Sequence, residues 1–265
     1  MYDFAYHKPA SVADAVALLA ADPDAKPISG GMTLLPALKL RLNRPSALVD
    51  LSGIAELRGV TQEGANLVIG ALTRHAEVAT SPLVKAGIPA LAAMAASIGD
   101  TQVRNRGTMG GSVANNDPSA DYPAALLALG ATIRTDRRSI GADEFFQGMF
   151  TTTLEAGEIV TGVVIPLPAK AGYAKMKNPA SRYSMAGVFV AQGPAGVRVA
   201  VNGAGANGVF RVTAMEAALA GNWSADALAG ITVDAGGMNG DIHGSAEYRA
   251  HLVTVMAKRA VLNAG

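Results

Sequence analysis

The sequence predicts an α+β protein built from a larger N-terminal part and a smaller C-terminal part, and three observations support this prediction. Near the N-terminus, the pair Gly30-Gly31 separates a short extended stretch from an apolar helical stretch. From about residue 66, strand patterns alternate with glycines and helical runs. Pro166 and Pro168 then interrupt both patterns, and strands followed by helices come after them. The predicted domains are 1–166, with subdomains of about 1–55 and 56–166, and 167–265.

The first subdomain is predicted to contain a compact β-turn-α-β unit. Ser11 can cap a helix over 12–21, because its side chain can accept a hydrogen bond from the first helical turn. A strand over 26–28 leads to the glycine pair, a helix over 33–42 follows, and a strand over 47–51 completes the unit. The glycines therefore stand at a helix N-terminus, where backbone N–H groups bind anions.

The second subdomain is predicted to mix strands and helices around a second glycine-rich turn. A proline near the start and a glycine just past the end define one helix, which Gly130 closes. In chain order the predicted elements are a strand over 67–69, a helix over 89–98, a helix over 121–129, and strands over 131–135 and 158–165.

The C-terminal domain is predicted to place strands before helices. Strands are expected over 185–191 and 197–201. Thr213 and Glu216 have the spacing of a capping box at the start of an apolar run. A final helix is expected over 245–262, which gives this domain an α+β arrangement of its own.

Composition excludes several classes of function. The 265 residues are 50% hydrophobic, so the chain can bury a core, and a net charge of +1 gives no reason to expect a nucleic-acid partner. The chain has no cysteine and only four scattered histidines, so we predict no disulfide, no metal site and no iron–sulfur cluster in it. No transmembrane segment and no signal peptide are predicted, and we therefore expect a cytoplasmic protein.

Two glycine-rich turns give the strongest functional signal. The first turn (residues 29–33, Ser-Gly-Gly-Met-Thr) and the second turn (residues 108–112, Thr-Met-Gly-Gly-Ser) combine glycines with hydroxyl groups. Their N–H groups could grip the two phosphates of a dinucleotide. Neither matches G-x-G-x-x-G or a Walker loop, which disfavours a Rossmann fold or a nucleotide triphosphatase. Asp121 could meet a ribose hydroxyl or cap its helix, and Asn115 could serve the ligand or its own turn.

The residues around the second turn also carry a family resemblance. The segment 104–131 resembles the FAD-binding (medium) subunit of molybdenum hydroxylases, in the xanthine dehydrogenase and aerobic carbon monoxide dehydrogenase family. The resemblance extends over the whole chain, through residues 30–39, 69–73 and 175–183. It implies an FAD-binding domain of the PCMH (vanillyl-alcohol-oxidase-like) type with two subdomains, and a small C-terminal α+β domain of the CO dehydrogenase flavoprotein type.

The resemblance further implies how FAD is held. Both turns would bind its pyrophosphate with support from Asn115, and Asp121 would bind on the adenosine side. Lys175 would lie near the flavin ring and Tyr183 would cover it, although the residues alone favour a solvated lysine and allow an ordinary core or edge tyrosine. His75 matches a family loop and is expected to be structural, and neither a catalytic residue nor a metal ligand is implied. The expected FAD-binding residues are Ser29, Gly30, Gly31, Met32, Thr33, Ile98, Thr108, Met109, Gly110, Gly111, Ser112, Asn115, Asp121, Val160, Lys175 and Tyr183.

The implied function is electron transfer within a multi-subunit oxidoreductase. FAD in this chain would receive electrons from [2Fe–2S] clusters of a small partner subunit and deliver them to an external acceptor. A large partner subunit would hold the molybdenum–molybdopterin cofactor and hydroxylate the substrate, in a heterotrimer that pairs into a dimer of heterotrimers. Two alternatives stay open, namely a self-sufficient FAD oxidoreductase and a structural subunit without flavin.

Overall fold

The first sheet is parallel and places the N-terminal strand beside the β-turn-α-β unit. The computed structural model describes residues 1–265. The elements are β1 (Ala5–His7), α1 (Val12–Ala21), β2 (Lys26–Ile28), α2 (Leu34–Lys39) and β3 (Ala47–Asp50), and the strand order is β1-β3-β2. Ser11 caps α1 as predicted, since the N–H of Asp14 donates to its side chain at 3.1 Å. Helix α2 is shorter than predicted, because Arg41 adopts a left-handed φ of 58° just beyond its end.

The second sheet is antiparallel, and the chain forms seven helices around its strands. The elements are β4 (Val60–Glu63), β5 (Asn66–Gly70), α3 (His75–Thr80), α4 (Pro82–Gly87), α5 (Pro89–Ala96), α6 (Thr101–Arg104), α7 (Met109–Asn115), α8 (Asp121–Leu129), β6 (Thr132–Thr135), β7 (Ser139–Gly141), α9 (Ala142–Phe145), the hairpin β8 (Phe146–Gly148) and β9 (Thr151–Thr152), and β10 (Val160–Pro166). The sheet order is β4-β5-β10-β6-β7. Helix α8 has the predicted bounds, and Gly130 ends it with a φ of 62°.

The third sheet is antiparallel and is covered by two helices. Its strands run in sequence order, β11 (Lys170–Lys177), β12 (Ser184–Gly193), β13 (Gly196–Asn202) and β14 (Phe210–Arg211), followed by α10 (Thr213–Gly221) and α11 (Ala246–Leu262). Helix α11 packs on β11 and β12, and α10 packs on β13. The mixture of sheets and helices confirms the predicted α+β class. None of the helices has both the length and the apolar character needed to cross a membrane.

The predicted capping box at Thr213 is wrong. Val212 precedes α10, and no side chain caps the helix. Glu216 instead accepts a hydrogen bond from the N–H of Val199 at 3.0 Å and one from the Arg211 guanidinium at 2.7 Å. A charge-assisted bond to arginine is stronger than a bond to a helix N-terminus, so the tertiary partners displace the local motif.

Helix α8 joins the second and third sheets. All of its residues are buried, and it packs on β10 as well as on β12 and β13. A helix that is apolar on every side needs partners on every side. The largest core accordingly contains Leu126 of α8 together with Val163 of β10 and Phe189 of β12. Asp121, the first residue of α8, is therefore held at the junction of the two sheets.

Candidate functional site

A cavity of about 980 Å³ gathers most of the residues expected from the sequence. All three sheets contribute to its wall, with Ile28 on β2, Val160 on β10 and Lys175 on β11. Its volume is at the upper end of the range of about 300–1,000 Å³ found for small-molecule sites. Fifteen of the sixteen expected residues line it, namely Ser29, Gly30, Gly31, Met32, Thr33, Ile98, Thr108, Gly110, Gly111, Ser112, Asn115, Asp121, Val160, Lys175 and Tyr183.

The first turn presents unpaired backbone donors at this cavity. None of the N–H groups of residues 30–33 donates to a backbone acceptor within the chain. Gly31 has a φ of 72°, a conformation that favours glycine and that lets the chain turn from β2 into α2. Met32 and Thr33 are exposed at the cavity wall. Four consecutive N–H groups are thus available to an anion.

In the second turn the backbone N–H groups of residues 109–112 are already used within the protein. The N–H of Met109 donates to Thr73 O at 2.9 Å, and the N–H of Gly110 donates to Ala71 O at 2.8 Å. The N–H of Gly111 donates to Thr108 Oγ1 at 3.2 Å, which is the N-cap bond of α7. These three N–H groups are therefore paired within the protein, and binding of the pyrophosphate by the second turn stays a prediction.

Met109 is the expected FAD-binding residue that the cavity does not include. Its side chain is fully buried in the core of the second sheet, where Val113 and Val163 also lie. The apolar side chain points into the core because helix α7 starts at Met109 and turns its first apolar residue toward the sheet. Met109 is a packing residue in this structure.

The two turns contact each other directly. Ser29 Oγ and Thr108 Oγ1 are 3.0 Å apart and share a hydrogen bond. A Cβ atom on Gly30 would lie 2.1 Å from Arg106 O and 2.9 Å from the Cα of Gly107, so only glycine fits at this position. The first turn is therefore packed closely against the second turn and the two residues that precede it.

Asp121 and Lys175 form a buried ion pair at the cavity wall. Lys175 Nζ lies 2.7 Å from Asp121 Oδ2, and the two side chains are only 3% and 5% exposed. The Tyr173 hydroxyl donates to the other carboxylate oxygen, and Asn202 Nδ2 approaches it at 3.4 Å. Burial, together with the Asp121 charge, raises the pKa of Tyr173 well above its usual value. The tyrosine therefore remains a neutral donor.

This contact corrects two expectations from the sequence. Asp121 and Lys175 were expected near opposite parts of FAD, and a 2.7 Å contact places them at the same point instead. The interpretation of Lys175 as a solvated lysine is also wrong, because its ammonium group is buried. The N-cap of α8 is Ala120, so Asp121 does not cap its own helix.

Tyr183 and Asn115 lie at more open parts of the cavity wall. Tyr183 is 61% exposed and belongs to the loop between β11 and β12. Partial burial and the nearby Asp117 carboxylate raise the pKa of its phenol. Asn115 is half-buried at the end of α7. Both side chains are placed where a ligand in the cavity would meet them.

His75 lines the cavity behind the second turn. Its ring centroid lies 5.3 Å from that of Tyr122, and its Nδ1 atom has no hydrogen-bond partner. Its backbone N–H donates to Gly107 O at 3.0 Å. Burial, with a smaller contribution from the Arg104 charge, lowers the pKa of His75 to about 4. A neutral imidazole therefore supports the second turn at neutral pH.

Among the lining residues that the sequence did not point to are Asp117, Phe150 and Arg182. Phe150 and Arg182 have left-handed φ values of 54° and 63°, which non-glycine residues rarely adopt. Asn116 supports the Phe150 turn, since its side chain donates to Gly148 O at 2.7 Å. No local pattern in the sequence signals these conformations, because contacts from other segments impose them.

Comparison with known proteins identifies the family of the chain. Residues 2–168 match the family described as FAD binding domain in molybdopterin dehydrogenase. The chain is 38% identical to the nicotine 6-hydroxylase medium subunit of Paenarthrobacter nicotinovorans, over 98% of this chain and 96% of that protein. It is 36% identical to the carbon monoxide dehydrogenase medium chain of Hydrogenophaga pseudoflava, over 97% and 96% of the two chains. The solved structure of the carbon monoxide dehydrogenase from that organism, in a form that lacks the Mo-pyranopterin moiety, matches with a TM-score of 0.88 at 37% identity, covering 99% of this chain and 97% of that one.

Proposed function

The chain belongs to the family of FAD-binding domains of molybdopterin dehydrogenases, and from this premise we propose that it holds one FAD in the large cavity and conducts electrons through it. It is the FAD-binding medium subunit of a molybdopterin-dependent dehydrogenase or hydroxylase. Bound FAD would supply the redox chemistry, and the residues of this chain would bind it, orient it and shield it from water.

The unpaired N–H groups at residues 30–33 are the observation that carries the proposal. A diphosphate offers several acceptor oxygens with negative charge, and consecutive backbone N–H groups form a suitable concave donor set. Ser112 and Asn115 add a hydroxyl and an amide to the same cavity wall. The donor set and the volume of about 980 Å³ both fit a dinucleotide.

The Asp121–Lys175 pair would contact the bound FAD at a part of the cavity wall away from the first turn. The two charges are buried and mutually paired, so they add no large net charge to the cavity. The Lys175 ammonium would donate hydrogen bonds toward the ligand, and Asp121 with Tyr173 would fix its position. Tyr183, at the more open part of the wall, would cover an aromatic portion of the ligand.

The proposed electron path runs through partner subunits. Relatives named as medium subunits and medium chains support a complex of several subunits. We expect [2Fe–2S] clusters on a small subunit to deliver electrons, a large subunit to hold the molybdenum cofactor, and an external acceptor to receive the electrons. We also propose a dimer of heterotrimers, and a boundary between the FAD-binding and C-terminal domains after residue 166.

FAD binding is tested with the purified full chain. We expect a yellow protein, or one that takes up one FAD per chain when FAD is added, with a flavin absorbance band that survives desalting. A colourless chain that fails to bind added FAD would overturn the proposal and favour a structural subunit.

The electron-transfer role is tested in the assembled complex. The rate at which reduced iron–sulfur centres of the partner are reoxidised by an acceptor is compared before FAD removal, after removal and after reconstitution. We expect this rate to fall on removal and to recover on reconstitution. An unchanged rate without FAD, or substrate turnover by this chain alone, would contradict the role.

A further inference from the structure

A smaller cavity opens beside the large one, and we call it the side cavity. Its volume is about 410 Å³, and only one of the eight residues that line it is hydrophobic. Gly99 and Arg182 line both cavities, so the two adjoin. None of the sixteen expected FAD-binding residues lines the side cavity.

The charges of the side cavity differ from those of the large cavity. Three cationic side chains line the side cavity, Arg104, Lys177 and Arg182, and no carboxylate does. The large cavity has both signs, with Lys26, Lys175, Arg182, Asp100, Asp117, Asp121 and Glu158 in its wall. Because every charged residue that lines the side cavity is positive, this cavity favours an anion.

No carboxylate pairs with the three cations, since the ten ion pairs of the structure include none of them. The Arg104 guanidinium donates to Ile98 O at 2.9 Å and to Gly99 O at 3.3 Å, which are neutral acceptors. These bonds fix the guanidinium at the cavity wall without cancelling its charge. Lys177 is exposed and free to turn toward a ligand.

Arg182 is held at the junction of the two cavities by a strained turn. Its φ of 63° is unfavourable for a residue with a side chain. Buried Asn178 imposes this turn, because its Oδ1 accepts hydrogen bonds from the N–H groups of Ala180 and Ser181 at 2.9 and 3.2 Å. The N–H of Arg182 donates to Asn178 O at 2.8 Å. Strain that surrounding contacts maintain is typical of ligand-binding positions.

We propose that the side cavity binds the phosphate group of a small molecule other than the FAD of the large cavity. Two guanidinium groups and an ammonium group match the several anionic oxygens of a phosphate. A concave site of about 410 Å³ suits a small ligand better than the flat surface of a protein partner. This proposal goes beyond the proposed function and does not depend on it.

The test is a calorimetric titration of the full chain with inorganic pyrophosphate, and in a second arm with ADP, at physiological ionic strength. Each titration is run without FAD and again after FAD has been bound and the excess removed. We expect saturable binding in both states. Equal affinity for the two ligands indicates free inorganic phosphate as the natural source, and tighter binding of ADP indicates an organic phosphate.

Two substitutions locate the binding site. Lys177→Gln and Arg182→Asn each remove one charge, and asparagine tolerates the left-handed backbone of residue 182. Each is expected to weaken pyrophosphate binding about tenfold, because a hydrogen bond to a charged group is lost. The matched controls are Lys85→Gln and Arg41→Asn, since Lys85 is an exposed lysine outside both cavities and Arg41 has a φ of 58°. The controls are expected to bind like the unmodified chain.

Four results would overturn the proposal. The first is no saturable binding of either ligand, and the second is binding that disappears once FAD is bound, which would place the ligand in the large cavity. The third is equal weakening by the control substitutions, which would indicate a diffuse charge effect. The fourth is binding of a polyglutamate peptide in place of pyrophosphate, which would indicate an acidic protein partner.

Discussion

The first and second glycine-rich turns have similar residues and opposite hydrogen-bonding states. Residues 30–33 leave their backbone N–H groups unpaired, whereas residues 109–112 donate theirs to acceptors within the protein. The first turn is therefore suited to bind a ligand, and the second to support the first. Substitutions at exposed positions of the first turn should change FAD affinity, and substitutions where the two turns meet or behind the second turn should change folding stability.

The largest effect is expected where the two turns meet, in Gly30→Ala. The new Cβ would lie 2.1 Å from Arg106 O, so the turns must separate. We expect a loss of about 3 kcal/mol in the free energy of unfolding, together with loss of FAD binding. Urea denaturation and flavin content measure the two effects. Gly141→Ala is the matched control, because its Cβ would have no atom within 4 Å. Normal stability in Gly30→Ala would contradict the contact between the turns.

A similar loss of stability is expected from Asp121→Asn. This substitution tests the buried ion pair between Asp121 and Lys175. The substitution leaves the Lys175 ammonium buried without its counter-charge, at a cost of about 3 kcal/mol in the free energy of unfolding. The double variant Asp121→Asn/Lys175→Met should recover part of this loss, since it removes the unpaired charge. Additive losses in the double variant would show that the two residues are not coupled.

A smaller, pH-dependent effect is expected from His75 behind the second turn. Its pKa is lowered to about 4 by burial, while in the unfolded chain it titrates near its ordinary value of 6.5. The unfolded state therefore binds more protons between these values, and stability falls as the pH falls from 6.5 to 4. The loss between pH 6.5 and pH 5 should be about 2 kcal/mol.

Urea denaturation across this range measures the effect. His75→Gln should flatten the pH dependence, and His251→Gln, at an exposed position on α11, should leave it unchanged. A pH profile of His75→Gln that matches the unmodified chain would show that another group titrates.

The smallest change in energy is expected at Thr33, an exposed residue of the first turn, where a substitution should change the affinity for FAD but not the free energy of unfolding. Thr33→Glu places a carboxylate beside the unpaired N–H groups, where it repels the diphosphate. We expect FAD binding to weaken about tenfold, or about 1.4 kcal/mol, with no loss in the free energy of unfolding. Thr33→Gln has nearly the same size without the charge and should bind FAD normally. Equal weakening by both substitutions would indicate a steric effect.

Local signals in the sequence predicted much of the fold. Helix α1 begins after Ser11 and α8 ends at Gly130 as predicted, because caps and left-handed glycines act over a few residues. The prediction at Thr213 failed where Glu216 found partners outside its helix. Local sequence signals therefore predict the ends of a helix correctly unless a stronger tertiary contact replaces the local hydrogen bond.

The sequence pointed to residues that line one cavity of the structure, but it did not predict the hydrogen bonds that these residues make. Fifteen of the sixteen expected residues line one cavity. Which turn has free N–H groups depends on the carbonyls of Ala71 and Thr73, which pack behind the second turn and lie far from it in sequence. The ion pair of Asp121 with Lys175 likewise joins residues 54 positions apart. Sequence patterns identify such residues but do not reveal which groups they pair with.

Amide hydrogen exchange with and without FAD tests the contrast between the turns most directly. Without FAD, the N–H groups of residues 30–33 should exchange rapidly and those of residues 109–112 slowly, because only the latter are hydrogen-bonded within the protein. FAD should slow exchange at residues 30–33 and leave residues 109–112 nearly unchanged. New protection at residues 109–112, with none at residues 30–33, would contradict the account.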